Sequence, residues 1–285
     1  APKVMRELGL DYRNLEKLNP RLIVTSITPF GQTGPYRDYK AYDLNSYGGS
    51  GLAKILSDIL PEDIPMPLKA WGYLGDYDCG QSAALATLGA LYARLFTGEG
   101  QHVDVSKQES LIALERVEIG RYGNEGEQGS TVSIRQMAGG LQRCKDGYVM
   151  ITIPMEHQWQ ALVELMGNPE WAKDEGYRDE FARAEHGEEI NARIAEWMKD
   201  HTKEEVYHRA QALSCPIGSV ATVEDLLNSV QLKARGFFVE AEHPEIGRAK
   251  FPTVPYRFSQ TPWRFERPAP LLGEHNCEVY CGRLG

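Results

Sequence analysis

The sequence predicts an α/β fold with a second, α+β domain, and three observations carry that prediction. Short apolar runs rich in β-branched residues alternate with helix-length segments over the first 120 residues. The composition then changes at Gly120 to Gly129, where Gly123, Gly126 and Gly129 stand among charged residues as a linker would. Beyond that break a hairpin-like stretch leads into several helices rather than into further strand and helix pairs. At 285 residues one large domain and two smaller ones are both open, because single cores stop growing at about 250–300 residues.

Each element follows from its local pattern. Tyr12 to Leu18 reads as a short helix broken by Asn19-Pro20, and Arg21 to Thr28 as a buried strand, being short, apolar and β-branched. Pro29 to Pro35 is a loop dense in turn formers, and Gly48, Gly49 and Gly51 punctuate the next segment. From Asp78 to Phe96 small and apolar residues occupy nearly every face, which predicts a buried helix stopped by Thr97-Gly98-Glu99-Gly100. Val103 to Val105 is a short strand and Lys107 to Ile119 a helix with an apolar stripe. After the break come a turn at Asp146-Gly147 and the strand Tyr148 to Ile153. Helices follow over Glu156 to Met166, Glu188 to Asp200 and Lys203 to Leu213, the last with Thr202 and Glu205 spaced as a capping box. Thr222 with Asp225 starts a fourth, and the tail is strand-like from Phe237 and then proline-rich.

Charge and cysteine usage exclude several function classes. Lys plus Arg number 31 against 40 Asp plus Glu, a net charge of −9, so nucleic acid is not expected as a partner. No apolar run approaches the roughly 20 residues that span a bilayer. The start, Ala1-Pro2-Lys3-Val4-Met5, has no signal-peptide core, and a cytoplasmic protein without a membrane partner is expected. Five scattered Cys, an odd number, make no disulfide framework and are expected as free thiols.

Few residues point to chemistry on their own. Zinc-helix, phosphate-loop, nucleophile-elbow and dinucleotide signatures are absent. Cys277 and Cys281 stand four apart near His275, but no second ligand pair accompanies them, and no metal is expected. His201 and His208 straddle a helix start on a charged face and read as solvated. Asp76 ends the Gly-rich approach Gly72-Tyr73-Leu74-Gly75, just ahead of a helix. An Asp there is most often a cap or first-turn residue; alternatively, the amides and glycines position its carboxylate for nucleophilic attack.

Five ordered strings decide between these readings. Asn19-Pro20-Arg21-Leu22-Ile23, Phe30-Gly31-Gln32-Thr33-Gly34-Pro35-Tyr36, Gly75-Asp76, Thr97 through Val105, and Pro268 through His275 together resemble the class III CoA-transferase (CaiB/BaiF) family over essentially the whole chain. The resemblance implies a large Rossmann-like α/β domain and a smaller α+β domain in an interlocked, ring-like homodimer. It assigns residues 1–120 to the large domain, 121–247 to the small domain with its linkers, and 248–285 to a return to the large domain.

The implied activity moves CoA between an acyl-CoA and a small carboxylic acid. Asp76 is the implied nucleophile, forming first an aspartyl anhydride and then an aspartyl-CoA thioester. Lys40, Tyr42 and Asp43 are the implied CoA contacts, with CoA present as substrate thioester. Ala138-Gly139-Gly140-Leu141-Gln142 falls where the family carries a glycine loop over the site; Gly139 and Gly140 are read equally as that loop or as a plain strand entry. The same fold hosts 2-methylacyl-CoA racemases, which place a His directly before an Asp. This chain has Tyr42 before Asp43, and a phenol, ordinarily titrating near 10, exchanges protons poorly at neutrality. Family chains also carry a first strand-helix portion ahead of the point matching Ala1, which leaves a fragment, a piece supplied by another chain or an inactive scaffold as readings of the beginning.

Overall fold

The computed structural model describes residues 2–57, 66–126 and 138–285. It is a mixed α/β chain whose described residues form one sheet with parallel pairing and two with antiparallel pairing. The chain forms two compact units: Ala1–Gly140 with Glu170–Ala192, and Leu141–Pro169 with Arg193–Gly285. These clusters cross the boundaries expected at 120 and 247.

The first unit opens with α1 (Pro2–Glu7) and α2 (Tyr12–Leu18), then β1 (Val24–Thr28), α3 (Asp43–Ser50) and α4 (Leu52–Ser57). The long α5 (Leu74–Thr97) connects to β2 (His102–Ser106), which pairs with β1 in parallel from Val24 opposite His102 to Thr28 opposite Ser106. Parallel strands need a crossover, and α5 supplies it. Cys79, Ala83 and Val105 form the packed centre, with Val103 against them, and Thr25 Oγ1 meets Thr87 Oγ1 at 2.6 Å.

Three of the sequence motifs meet at the ends of this strand pair. Gly100 N–H donates to Pro20 O at 2.8 Å, Arg21 Nη1 to Gly98 O at 3.0 Å and Arg94 Nη1 to Arg21 O at 2.9 Å. Gln32 N–H donates to Asp104 at 2.9 Å. Much of the motif content is therefore a clamp that sets where β1 and β2 end.

The expectation of a buried α5 is corrected. Only Gly75, Cys79, Ala83 and Ala90 are buried, whereas Leu85, Leu88, Tyr92, Leu95 and Phe96 are exposed. The buried residues recur at four- and seven-residue spacing, one stripe of the helix, although β1, β2, α3 and α6 all pack against it. The helix expected over Lys107 to Ile119 divides into α6 (Lys107–Ile112), a 3-10 turn at Ala113–Glu115 and α7 (Arg116–Glu125). The linker expected at Gly120 to Gly129 is thus helical through Glu125 and ends at Gly126, with 127–129 outside the described residues. Glycines in a helix cost about 1 kcal/mol each, which is why this segment reads as loop. Backbone bonding continues from the preceding turn nonetheless, and the Arg121–Glu118 pair at 3.3 Å supports it.

In the second unit, β3 (Gly140–Cys144) and β4 (Gly147–Ile151) precede α8 (Glu156–Leu165); α9 (Glu180–Glu185) belongs to the first unit, and α10 (Gly187–Met198) runs across the division. Then come α11 (Lys203–Ala212), β5 (Ile217–Ser219), α12 (Val223–Asn228) and α13 (Val230–Ala234). The sheet order is β3-β4-β5, with Ile151 opposite Ile217. Val149, Trp159, Leu162, Met198, Val206 and Ile217 are buried. The tail pairs β6 (Phe238–His243) with β7 (Gly247–Pro252) as a hairpin and ends in a π-helical turn, Cys277–Arg283.

The capping box expected at Thr202 is half formed. Its hydroxyl accepts from Glu205 N–H at 3.2 Å, but the Glu205 carboxylate pairs with Arg209 at 3.1 Å instead. The reciprocal box stands at Thr222 and Asp225, where Asp225 also pairs with the buried Lys203 at 2.5 Å. Lys203 and the two Thr222 donors hold the Asp225 carboxyl down at about 2. Because that lies below the ordinary value of 3.8, the stabilisation is full above pH 3.8 and is lost as pH falls through about 2. Asp225→Asn is therefore expected to lower the melting temperature at neutral pH. The gap to wild type should close between about pH 4 and pH 2, as thermal melts across that range would measure.

His201 corrects another expectation. It is not solvated but half-buried, stacked on Trp197 with ring centroids 3.9 Å apart and Nδ1 2.9 Å from Trp197 O. His208 is exposed as expected. Cys79, Cys144 and Cys215 are buried and Cys277 and Cys281 exposed, all free. Among the described residues no helix is long and apolar enough to cross a membrane.

Candidate active site

Asp76 lies in the first turn of α5, where the unsatisfied amides and dipole of a 24-residue helix favour a carboxylate. Its side chain is 40% exposed, and Oδ1 is ion-paired with Lys107 Nζ. Lys107 is the first residue of α6, set there by the end of β2; Ser106 caps that helix by accepting from Glu109 N–H at 3.3 Å. Cys79, one turn along from Asp76, is fully buried, and burial pushes its thiol above the usual range.

A second ion pair stands behind the first turn of α5. Asp43 begins α3 and is buried, with Oδ2 2.9 Å from Lys69 Nζ. Lys69 also donates to Ala70 O at 3.1 Å and to Gly72 O, and lies 5.6 Å over the Tyr47 ring. Oδ1 of Asp43 is buried without a hydrogen-bond partner among the described residues. It faces Gly75, where a Cβ would come within 2.7 Å of Asp43 Oδ1 and 3.2 Å of Leu111 Cδ1. The missing side chain at Gly75 thus lets the start of α5 close on Asp43.

The structure brings Asp43 and Asp76 to one helix start. Tyr42, 83% exposed, precedes α3 and donates its N–H to Asn45 Oδ1 at 3.0 Å; Lys40 is exposed in the loop before it. Gly139 and Gly140 lie at positive φ, with Gly140 opening β3 and Gly139 N–H donating to Asn191 Oδ1 at 2.8 Å. Trp71, Tyr73 and Tyr77 flank Asp76 and are exposed. Lys69 and Lys107 escaped the sequence reading. Lys69 lies in an irregular loop without a pattern, whereas Lys107 carried one signal, a cation at a helix start that favours anions. Among the described residues no group of three or more His, Cys, Asp or Glu is placed to hold a metal ion.

Comparison with known proteins gives this geometry a family. The sequence profile of CoA-transferase family III matches residues 1–276. A succinate–glutarate CoA-transferase of Agrobacterium fabrum is 31% identical over 96% of this chain and 68% of its own length. A formyl-CoA:oxalate CoA-transferase of Streptomyces avermitilis is 32% identical over 100% of this chain and 73% of its own. A succinyl-CoA–D-citramalate CoA-transferase of Chloroflexus aurantiacus is 30% identical over 100% and 71%. Among solved structures, a CaiB/BaiF family protein from Brucella suis superposes with a TM-score of 0.82 at 27% identity, covering 98% of this chain and 72% of that one. With the profile spanning nearly every residue and the named relatives agreeing on the class of reaction, this chain belongs to CoA-transferase family III and is an enzyme of the CoA-transferase class.

Proposed function

We propose that the enzyme carries CoA from an acyl-CoA to a small carboxylic acid with Asp76 as the covalent carrier. The observation that supports it is the half-exposed Asp76 carboxylate, which has Oδ1 held by an ammonium while Oδ2 has no partner among the described residues. Asp76 Oδ2 attacks the thioester carbonyl, the C–S bond breaks, and the thiolate leaves with the electron pair. The thiolate attacks Asp76 Cγ and expels the donor acid as its carboxylate, leaving an aspartyl-CoA thioester. An incoming carboxylate then runs the same two exchanges in reverse and restores Asp76. Acyl activation is conserved at each stage, provided that water is excluded while Asp76 is acylated.

Lys40, Tyr42 and Asp43 belong to the CoA-binding side of this reading, the exposed Lys40 as a point charge for a phosphate. The transferase reading is preferred to a racemase because the relatives named above are transferases. The enzyme works in this reading as a cytoplasmic homodimer. The test is a panel of acyl-CoA donors and carboxylate acceptors, succinyl-CoA and formyl-CoA among the donors, with mass detection of product thioesters. Transfer to at least one acceptor is expected, together with hydroxylamine-trappable modification at Asp76. Thioester hydrolysis alone, or product without any modified Asp76, would overturn the reading.

A further inference from the structure

We propose that Lys107 is the residue that holds the reacting carboxylate, engaging the departing and the incoming acid in turn once Asp76 has spent its charge. The inference rests on the reading of Asp76 as covalent carrier and extends it to a second residue. The starting observation is the ion pair itself. Among the described residues Asp76 is the only carboxylate within ion-pair distance of Lys107 Nζ. The Lys107 side chain is 21% exposed, so its charge is screened less than that of a lysine in open solvent.

Charge accounting along the reaction gives the pair its function. In the resting enzyme Asp76 is an anion and Lys107 a cation, and the pair is neutral. Acylation of Asp76 converts its carboxylate into an uncharged anhydride or thioester, while the ammonium keeps its proton and charge. Lys107 is then an uncompensated cation beside the acyl carbon, next to the amide-rich start of α5. An anion is favoured at that spot at the stage when a carboxylate must leave or enter. In the resting state the same spot is already filled by Asp76, so free carboxylate gains little there.

The discharge step balances on these terms. One oxygen of the acceptor carboxylate forms a bond to Asp76 Cγ, the Cγ–S bond breaks, and the thiolate takes the electron pair. Lys107 holds the other oxygen through a charge-assisted hydrogen bond and exchanges no proton. When the thiolate next attacks the acceptor's acyl carbon, the Asp76 carboxylate is released and Lys107 recovers its original partner. Loading gains little from Lys107, because the ammonium faces one anion throughout that half-reaction, Asp76 at its start and the departing carboxylate at its end.

The experiment separates loading from discharge. Wild-type, Lys107→Met and Lys107→Arg proteins are mixed with succinyl-CoA or formyl-CoA, and the CoA adduct on Asp76 is followed by intact mass. The loaded protein is then discharged with the isotopically labelled free acid of the same donor, and melting temperatures control for folding. Lys107→Met is expected to load like wild type but to discharge at least about 10-fold more slowly at subsaturating acid, as loss of one partner of a partly buried charge pair predicts. Its KM for acid should rise while its KM for acyl-CoA stays unchanged, and Lys107→Arg should restore most of the discharge rate. Equal discharge by Lys107→Met and wild type overturns the proposal. So does a parallel loss of loading and discharge that Lys107→Arg does not rescue, which marks a structural role. No adduct on wild type with either donor is a separate outcome: it removes the covalent reading, and this proposal with it.

Discussion

Asp76→Asn is expected to lose CoA transfer by at least about 10³-fold, the scale seen when a residue acting as a unit with the chemistry is removed. The amide keeps the size of the carboxylate and the hydrogen-bonding capacity of a first-turn residue, so α5 should start where it does now. It cannot form an anhydride that retains acyl activation, and it cannot neutralise Lys107. Circular dichroism and the melting temperature should stay near those of wild type while steady-state transfer and the CoA adduct both disappear. Near wild-type turnover by the variant would remove Asp76 from the mechanism.

Gly100→Ala carries the second large effect, on folding rather than chemistry. A Cβ at Gly100 would lie 1.9 Å from Leu22 O and 2.6 Å from Arg21 C. Backbone atoms cannot swing aside as a side-chain tip can, so the loop must leave the start of β1 and the Gly100 N–H bond to Pro20 O must break. The arginine clamp between Arg21, Arg94 and Gly98 would be disturbed with it. We expect destabilisation of about 3 kcal/mol or more, the upper range for overpacking, read as a lowered denaturation midpoint. A stability within experimental error of wild type would show that the approach is not needed.

Local order was legible wherever one residue pattern sufficed. The strands β1 and β2 were readable from short β-branched runs, and α8, α10 and α11 from their apolar periods, because each signal lies within one element. The helix α3 was not, since Asp43-Leu44-Asn45-Ser46-Tyr47-Gly48-Gly49-Ser50 has the composition of a loop. It is helical because it packs on α6 and buries Tyr47 and Ser46, a tertiary gain that outweighs the glycine cost. The opposite error occurred at α5, where an apolar surface on every face suggested full burial although its neighbours β1, β2, α3 and α6 bury only one stripe.

The candidate site divides the same way. The sequence by itself determined the family, the carboxylate at Asp76 and its place at a helix start, because ordered motifs and a helix boundary are properties of neighbouring residues. Only the tertiary structure decided what surrounds that carboxylate. Lys107 is 31 residues away and Asp43 33 residues away in the other direction. Lys107 meets Asp76 because β2 ends beside the first turn of α5, and Asp43 reaches that turn because Gly75 carries no side chain. Ion pairs form through space between chain segments whose separation along the sequence carries no trace of their distance, so the charges around the nucleophile were set by the fold.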